Sequence, residues 1–238
     1  MTSATVEARA PVASWRHTRI LCTILLAIAL AGFLASQFAA SAPPAPGSGA
    51  AAPGVGAGLY VMLLTAELAL LYTVRNGLRR AGTRLIDIVS RRRLGPGAVT
   101  FDLVLGLGLF CNWVLIEQLL ARFSSGGAPP LVQRMIVHNA YEIPLWIAVS
   151  LAAGFVEELT FRGYLQRQFA SRLGTALAIL AQAVLFGVTH GYQGLGSMLA
   201  ITLFGIIFGI MAWARGSLVP GMAAHAAIDI FGGLQLFR

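Results

Sequence analysis

The chain has 238 residues, of which 57% are hydrophobic and only 11% charged, with a formal net charge of +8. Soluble domains carry about a quarter charged residues, so this composition excludes an ordinary soluble globular domain. It also excludes a nucleic-acid binder, which would present a basic face on a polar fold: all 17 basic residues are Arg, placed mostly in short segments between apolar runs.

A helix crossing the hydrocarbon core needs about 20 predominantly apolar residues. Seven runs are read as spans, at roughly 20–41, 58–74, 98–121, 141–161, 173–190, 195–213 and 217–236. The expected fold is therefore all-α, a polytopic transmembrane helix bundle of about seven spans. The first run is longer than the apolar core of a signal peptide, so it is read as a retained anchor. A Pro-, Ala- and Gly-rich connection, Ser41 to Gly58, follows it. The next connection, Arg75 to Gly97, carries seven Arg against one Asp and closes on the helix breaker Gly95-Pro96-Gly97. Cys22 and Cys111 fall in apolar runs without metal or redox spacing. The chain divides into an N-terminal membrane region (1–97), a third span with its outer loop (98–139) and a motif-bearing core (140–238).

Arginines concentrate on the cytoplasmic side of membrane proteins. Arg9, Arg16 and Arg19 and the Arg75–Arg93 loop are two spans apart and share a side, together with Arg162, Arg167, Arg172 and Arg215. Arg122, Arg134 and Arg238 fall on the other side. The chain is expected to be an integral multi-pass protein of a bacterial inner membrane with its N-terminus in the cytoplasm.

Ionisable residues within spans are functional candidates by default because they are costly there. Glu157-Glu158-Leu159-Thr160-Phe161-Arg162 ends the fourth run. On a helix Glu158 and Arg162 are neighbours four residues apart and can pair. Glu157, rotated about 100° away, remains free to act as a general base on water. A structural ion pair at the membrane edge explains this hexapeptide alone equally well. Phe186-Gly187-Val188-Thr189-His190 and His225-Ala226-Ala227-Ile228-Asp229 place polar clusters in later runs. If the chain turns back near Arg172–Gly174, Glu157 and His190 lie at one depth, each roughly 21–25 Å from the turn at a helical rise of 1.5 Å per residue. The site is expected to open towards the cytoplasm. Glu67, Asp102, Glu117 and Glu142 are isolated acids and receive no role.

These three clusters, EExxxR, FxxxH and Hxxx(N/D) in that order on separate spans, resemble the CAAX protease and bacteriocin-processing enzyme (CPBP, or ABI) family. That family includes the type II CAAX prenyl endopeptidases. The resemblance covers roughly 140–236. It implies an intramembrane endopeptidase in which Glu157 activates water, His190 helps hold it, and His225 with Asp229 stabilises the oxyanion. Glu158, Arg162 and Phe186 support them. Asp229 stands where Asn is common, and an ionised Asp cannot donate a hydrogen bond. The implied partners are a peptide or membrane-protein substrate, prenylated or leader-bearing, and the lipid bilayer, with no nucleic acid. No cofactor is favoured. Zinc held by Glu157, His190 and His225 is the alternative, although no HExxH helix is present. A non-catalytic membrane scaffold or transporter retaining the polar cluster is the rival reading.

Overall fold

Inside a bilayer each backbone N–H and C=O has to be satisfied without water, which leaves a helix as the local solution for a long apolar run. The computed structural model describes residues 10–41, 56–93, 95–121 and 129–234. Expectations for Arg9, Arg122, Arg238 and most of the Ser41–Gly58 connection lie outside the described residues. The helices are α1 (Trp15–Ser41), α2 (Gly56–Arg80), α3 (Leu85–Val89), α4 (Pro96–Ala121), α5 (Pro130–Met135), α6 (Ile143–Glu158), α7 (Gln166–Thr189), α8 (Leu195–Arg215) and α9 (Val219–Gly233). The only β pairing among the described residues is one isolated antiparallel bridge, Ser90 to Ser217.

Among the described residues, five helical segments are long and apolar enough to cross a membrane: Trp15–Ser41, Ala57–Arg80, Pro96–Leu119, Ala140–Thr189 and Leu195–Arg215. Two of the expected spans, 141–161 and 173–190, thus fall in one 50-residue helical segment. It is broken at Gly174, whose φ of 76° and ψ of 168° are not helical. A positive φ of this kind is readily adopted only by glycine, and here it lets α7 fold back on itself. The last helix, α9, is 15 residues long. Large apolar side chains such as Phe33, Phe38, Leu68, Leu107 and Leu199 are exposed on the outer faces. Such surfaces would drive association in water and suit contact with acyl chains. The protein is an integral multi-pass membrane protein.

Helices in lipid gain little from hydrophobic exclusion and depend on close packing, which small residues permit. A Cβ on Gly154 of α6 would stand 2.7 Å from the backbone nitrogen of Ala226 on α9, so this crossing brings two backbones together beside the site. One end of the bundle is tied by polar contacts. Arg167 donates to the carbonyls of Asp87 and Ile88, and Arg91 N–H to Gly216. Asp102, one of the isolated acids, accepts from Arg215 and from Ser217 Oγ. Arg172 lies 4.1 Å above the Trp15 ring. The start of α1, the Arg-rich loop, the α7 turn and the α8–α9 connection therefore share this end. Arg134, α5 and the end of α9 occupy the other.

Candidate active site

Leu159–Leu165, directly after the paired glutamates, forms a π-helix in which all seven residues are buried. Such wide turns are rare and frequent at functional sites. Their sequence signature is weak, and the regular helix expected through Arg162 is replaced here. The pairing survives: Arg162 Nη1 lies 2.8 Å from Glu158 Oε1, with both side chains almost wholly inaccessible. The contact is an ion pair whose alignment falls short of a hydrogen bond, since none of the guanidinium nitrogens finds an acceptor in good geometry. Aromatic faces supply the remaining stabilisation. The guanidinium carbon stands 4.2 Å from the Phe186 ring centre and 5.7 Å from that of Phe208. Phe186 also meets His190 and His225 edge-on at 4.7 and 5.9 Å between ring centres. The phenylalanine thus separates the buried cation from the histidines and fixes both rings.

All seven residues singled out from the sequence converge. His225 Nδ1 lies 3.2 Å from Glu158 Oε1. Its Nε2 lies 3.8 Å from Glu157 Oε2 and 3.6 Å from Asp229 Oδ2. His190 approaches from the end of α7, with Nε2 3.9 Å from the same Glu157 oxygen and Nδ1 2.9 Å from the Phe186 carbonyl. A carbonyl only accepts, so Nδ1 carries the hydrogen and, in the neutral ring, Nε2 presents its lone pair towards Glu157. Glu157 Oε2 is sealed from solvent and meets no donor. Glu157 and His190 are in contact although 33 positions apart, so the hairpin argued from helical rise is present. Gly221 leaves room for Glu158: a Cβ there would stand 2.8 Å from Glu158 Oε2. Trp146 Nε1 donates to the Asp229 carbonyl at 2.9 Å, locking α6 to α9.

A cavity of about 490 Å³ reaches His190, His225 and Asp229. Its other walls come from Trp113 and Glu117 on α4, Val132 on α5, Gln193, Ser197 on α8 and Gly233 on α9. These lie towards the end where α4 finishes and α8 begins, opposite to the Arg-rich loop. The expected opening at the Arg-rich end is therefore corrected. Helical rise fixes depth along a helix but not which way neighbouring helices splay, and at the polar end the α3 and Ser217 contacts tie the helices together.

Two of the isolated acids acquire surroundings. Glu142 caps a short turn, accepting from His138 N–H and Asn139 Nδ2 at 2.9 Å each. Glu67 enters the site, with its carboxyl group beside that of Glu157. Its signal was available, a lone acid in an apolar run, but nothing in the linear order connects residue 67 with residue 157.

Ligands of a tetrahedral zinc at about 2.0–2.1 Å lie roughly 3.4 Å from one another. The spacings of Glu157 to the two histidines are wider, and among the described residues no three His, Cys, Asp or Glu side chains form a group able to hold a metal ion. The arrangement does not fit zinc.

Residues 139–231 match the family model described as type II CAAX prenyl endopeptidase Rce1-like. No curated protein and no solved structure matches the chain.

Proposed function

We propose, from the match of residues 139–231 to the type II CAAX prenyl endopeptidase Rce1-like family model, that the chain is an intramembrane endopeptidase of this kind using a glutamate-activated water. One observation carries the mechanism: the unpartnered, sealed Oε2 of Glu157 faces Nε2 of both His190 and His225, at 3.9 and 3.8 Å. Both separations are too long for direct hydrogen bonds and suit one bridging water. A water there hands a proton to Glu157 and lends another hydrogen to the His190 lone pair, while its oxygen attacks the scissile carbonyl. The tetrahedral intermediate collapses with C–N cleavage, and Glu157 returns the proton to the leaving amine, so base becomes acid.

His225 gives Nδ1–H to Glu158, so it can present Nε2–H to the oxyanion only as the imidazolium. Carboxylates at 3.2, 3.6 and 3.8 Å from its ring nitrogens offset that charge. Preorganised donors of this type are commonly the largest catalytic contribution. Asp229 balances His225, with the Trp146 indole holding its backbone in place.

The substrate is a membrane-associated or prenylated protein or peptide that enters the apolar cavity. With the N-terminus and the Arg75–Arg93 loop in the cytoplasm, as the arginine bias favours, the cavity lies towards the opposite face. The test is cleavage of prenylated C-terminal peptides and of leader-type peptides by purified protein and by Glu157→Gln. Cleavage by the first and not the second is expected. Equal processing by both removes the mechanism.

A further inference from the structure

Glu67 stands in the apolar run of α2 between Ala66 and Leu68, outside every motif and outside the matched family segment. α2 packs along α6, and this contact brings the Glu67 carboxyl group within hydrogen-bonding reach of Glu157. His225 and Asp229 on α9 and Tyr192 in the turn after α7 are close enough to interact with it electrostatically. Oε2 of Glu67 and Oε2 of Glu157 are both sealed from solvent, and neither meets a donor in the protein.

Two ionised carboxylates cannot make a favourable contact, whereas a carboxylic acid donates a strong O–H···O⁻ hydrogen bond to a carboxylate. The two acids differ in their neighbours. Glu157 has both histidine rings within 4 Å and the Arg162 cation near by. Glu67 leans on Glu157 from a helix flanked by exposed Leu68, where an uncompensated charge is expensive. Glu67 is therefore the partner that keeps the proton.

We propose that Glu67 is a positioning residue: as a neutral acid it donates to the Glu157 carboxylate and holds Oε2 towards the two histidines. This rests on the assignment of Glu157 as the base. It makes α2 part of the working site, so the segment matching the family does not complete it alone. Holding a reacting group in its productive geometry lowers the barrier without changing substrate affinity, so the effect belongs on kcat.

The experiment compares Glu67→Gln with Glu67→Leu, using Glu157→Gln as the inactive reference. Gln keeps a donor and should retain kcat within about threefold. Leu keeps the apolar packing of α2 but removes the donor, and should lose roughly tenfold or more in kcat with KM unchanged and thermal stability not lowered. Wild-type kcat in Glu67→Leu overturns the proposal. So does a Glu67→Gln variant as impaired as Glu67→Leu, because the carboxyl group itself would then be required. Infrared spectroscopy gives a reading independent of turnover: wild-type protein should show a protonated carboxylic acid band that Glu67→Gln lacks. Identical spectra overturn the neutral acid even if no tested peptide is cleaved. A band that disappears while no peptide is cleaved upholds the neutral acid and places the failure with the protease reading.

Discussion

Glu158 accepts a hydrogen bond from His225 Nδ1 at 3.2 Å across 67 positions of the chain, through the oxygen that also meets Arg162 Nη1 at 2.8 Å. The second glutamate therefore meets both a buried cation and an imidazole, while Oε2 of the first meets no donor.

That division separates the two adjacent glutamates experimentally. Glu157→Gln preserves size but cannot take a proton, so turnover should fall by at least ~10²-fold in a protein of normal stability. Glu158→Gln strands Arg162, and breaking one side of a buried pair costs about 3–5 kcal/mol. Its signature should be a lower melting temperature with activity lost in step. Adding Arg162→Gln should restore stability and part of the activity in the Glu158 background and none in the Glu157 background. A normally folded but dead Glu158→Gln beside a fully active Glu157→Gln would reverse the roles.

Gly221 offers a test of packing at the site. The Cβ of Gly221→Ala would stand 2.8 Å from Glu158 Oε2 and 3.3 Å from Phe208, so the carboxylate must move away from its partners. Melting temperature and turnover should both drop. Gly108→Ala on α4 meets nothing within 4 Å and should be neutral or slightly stabilising, since Ala is favoured over Gly in a helix by about 0.5–1 kcal/mol. Similar behaviour of the two variants would refute the proposed crowding at Glu158.

Asp229 is tested by replacement. Asp229→Asn keeps size and supplies a donor, and activity should stay within about tenfold of wild type. Asp229→Leu removes the polar group beside His225 and should cost ~10²-fold or more in kcat. Full activity in Asp229→Leu would remove the residue from the site.

Sidedness is read by thiol labelling in a Cys22→Ala, Cys111→Ala background. Arg92→Cys reports the Arg-rich end, and Ser197→Cys reports the cavity. A membrane-impermeant reagent should reach Arg92→Cys only in inside-out vesicles and Ser197→Cys only in right-side-out ones. Labelling of both from one face would overturn the proposed direction of the cavity.

Metal dependence is checked by exhaustive chelation with metal analysis of the purified protein. Retained cleavage without stoichiometric zinc is the expected result. One zinc per chain, lost together with activity, would instead make Glu157, His190 and His225 ligands.

The sequence by itself determined the membrane class, because a bilayer admits few solutions for long uncharged runs. It also determined the pairing of Glu158 with Arg162, a consequence of local helical spacing that the π-turn leaves intact, and the meeting of Glu157 with His190, a consequence of helical rise about a turn. What only the tertiary structure decided depends on contacts between helices distant in the chain. His225 leans on Glu158 because α9 crosses α6 closely at Gly154. The cavity lies opposite to the Arg-rich loop, at the end where α4 finishes and α8 begins, while Arg167, Arg215 and Ser217 tie the helices together at the other end. Glu67 comes into the site because α2 packs on α6. Periodicity and spacing report on one helix at a time, whereas relative rotation and splay are set by which small residues let two backbones approach, and no linear pattern encodes that choice.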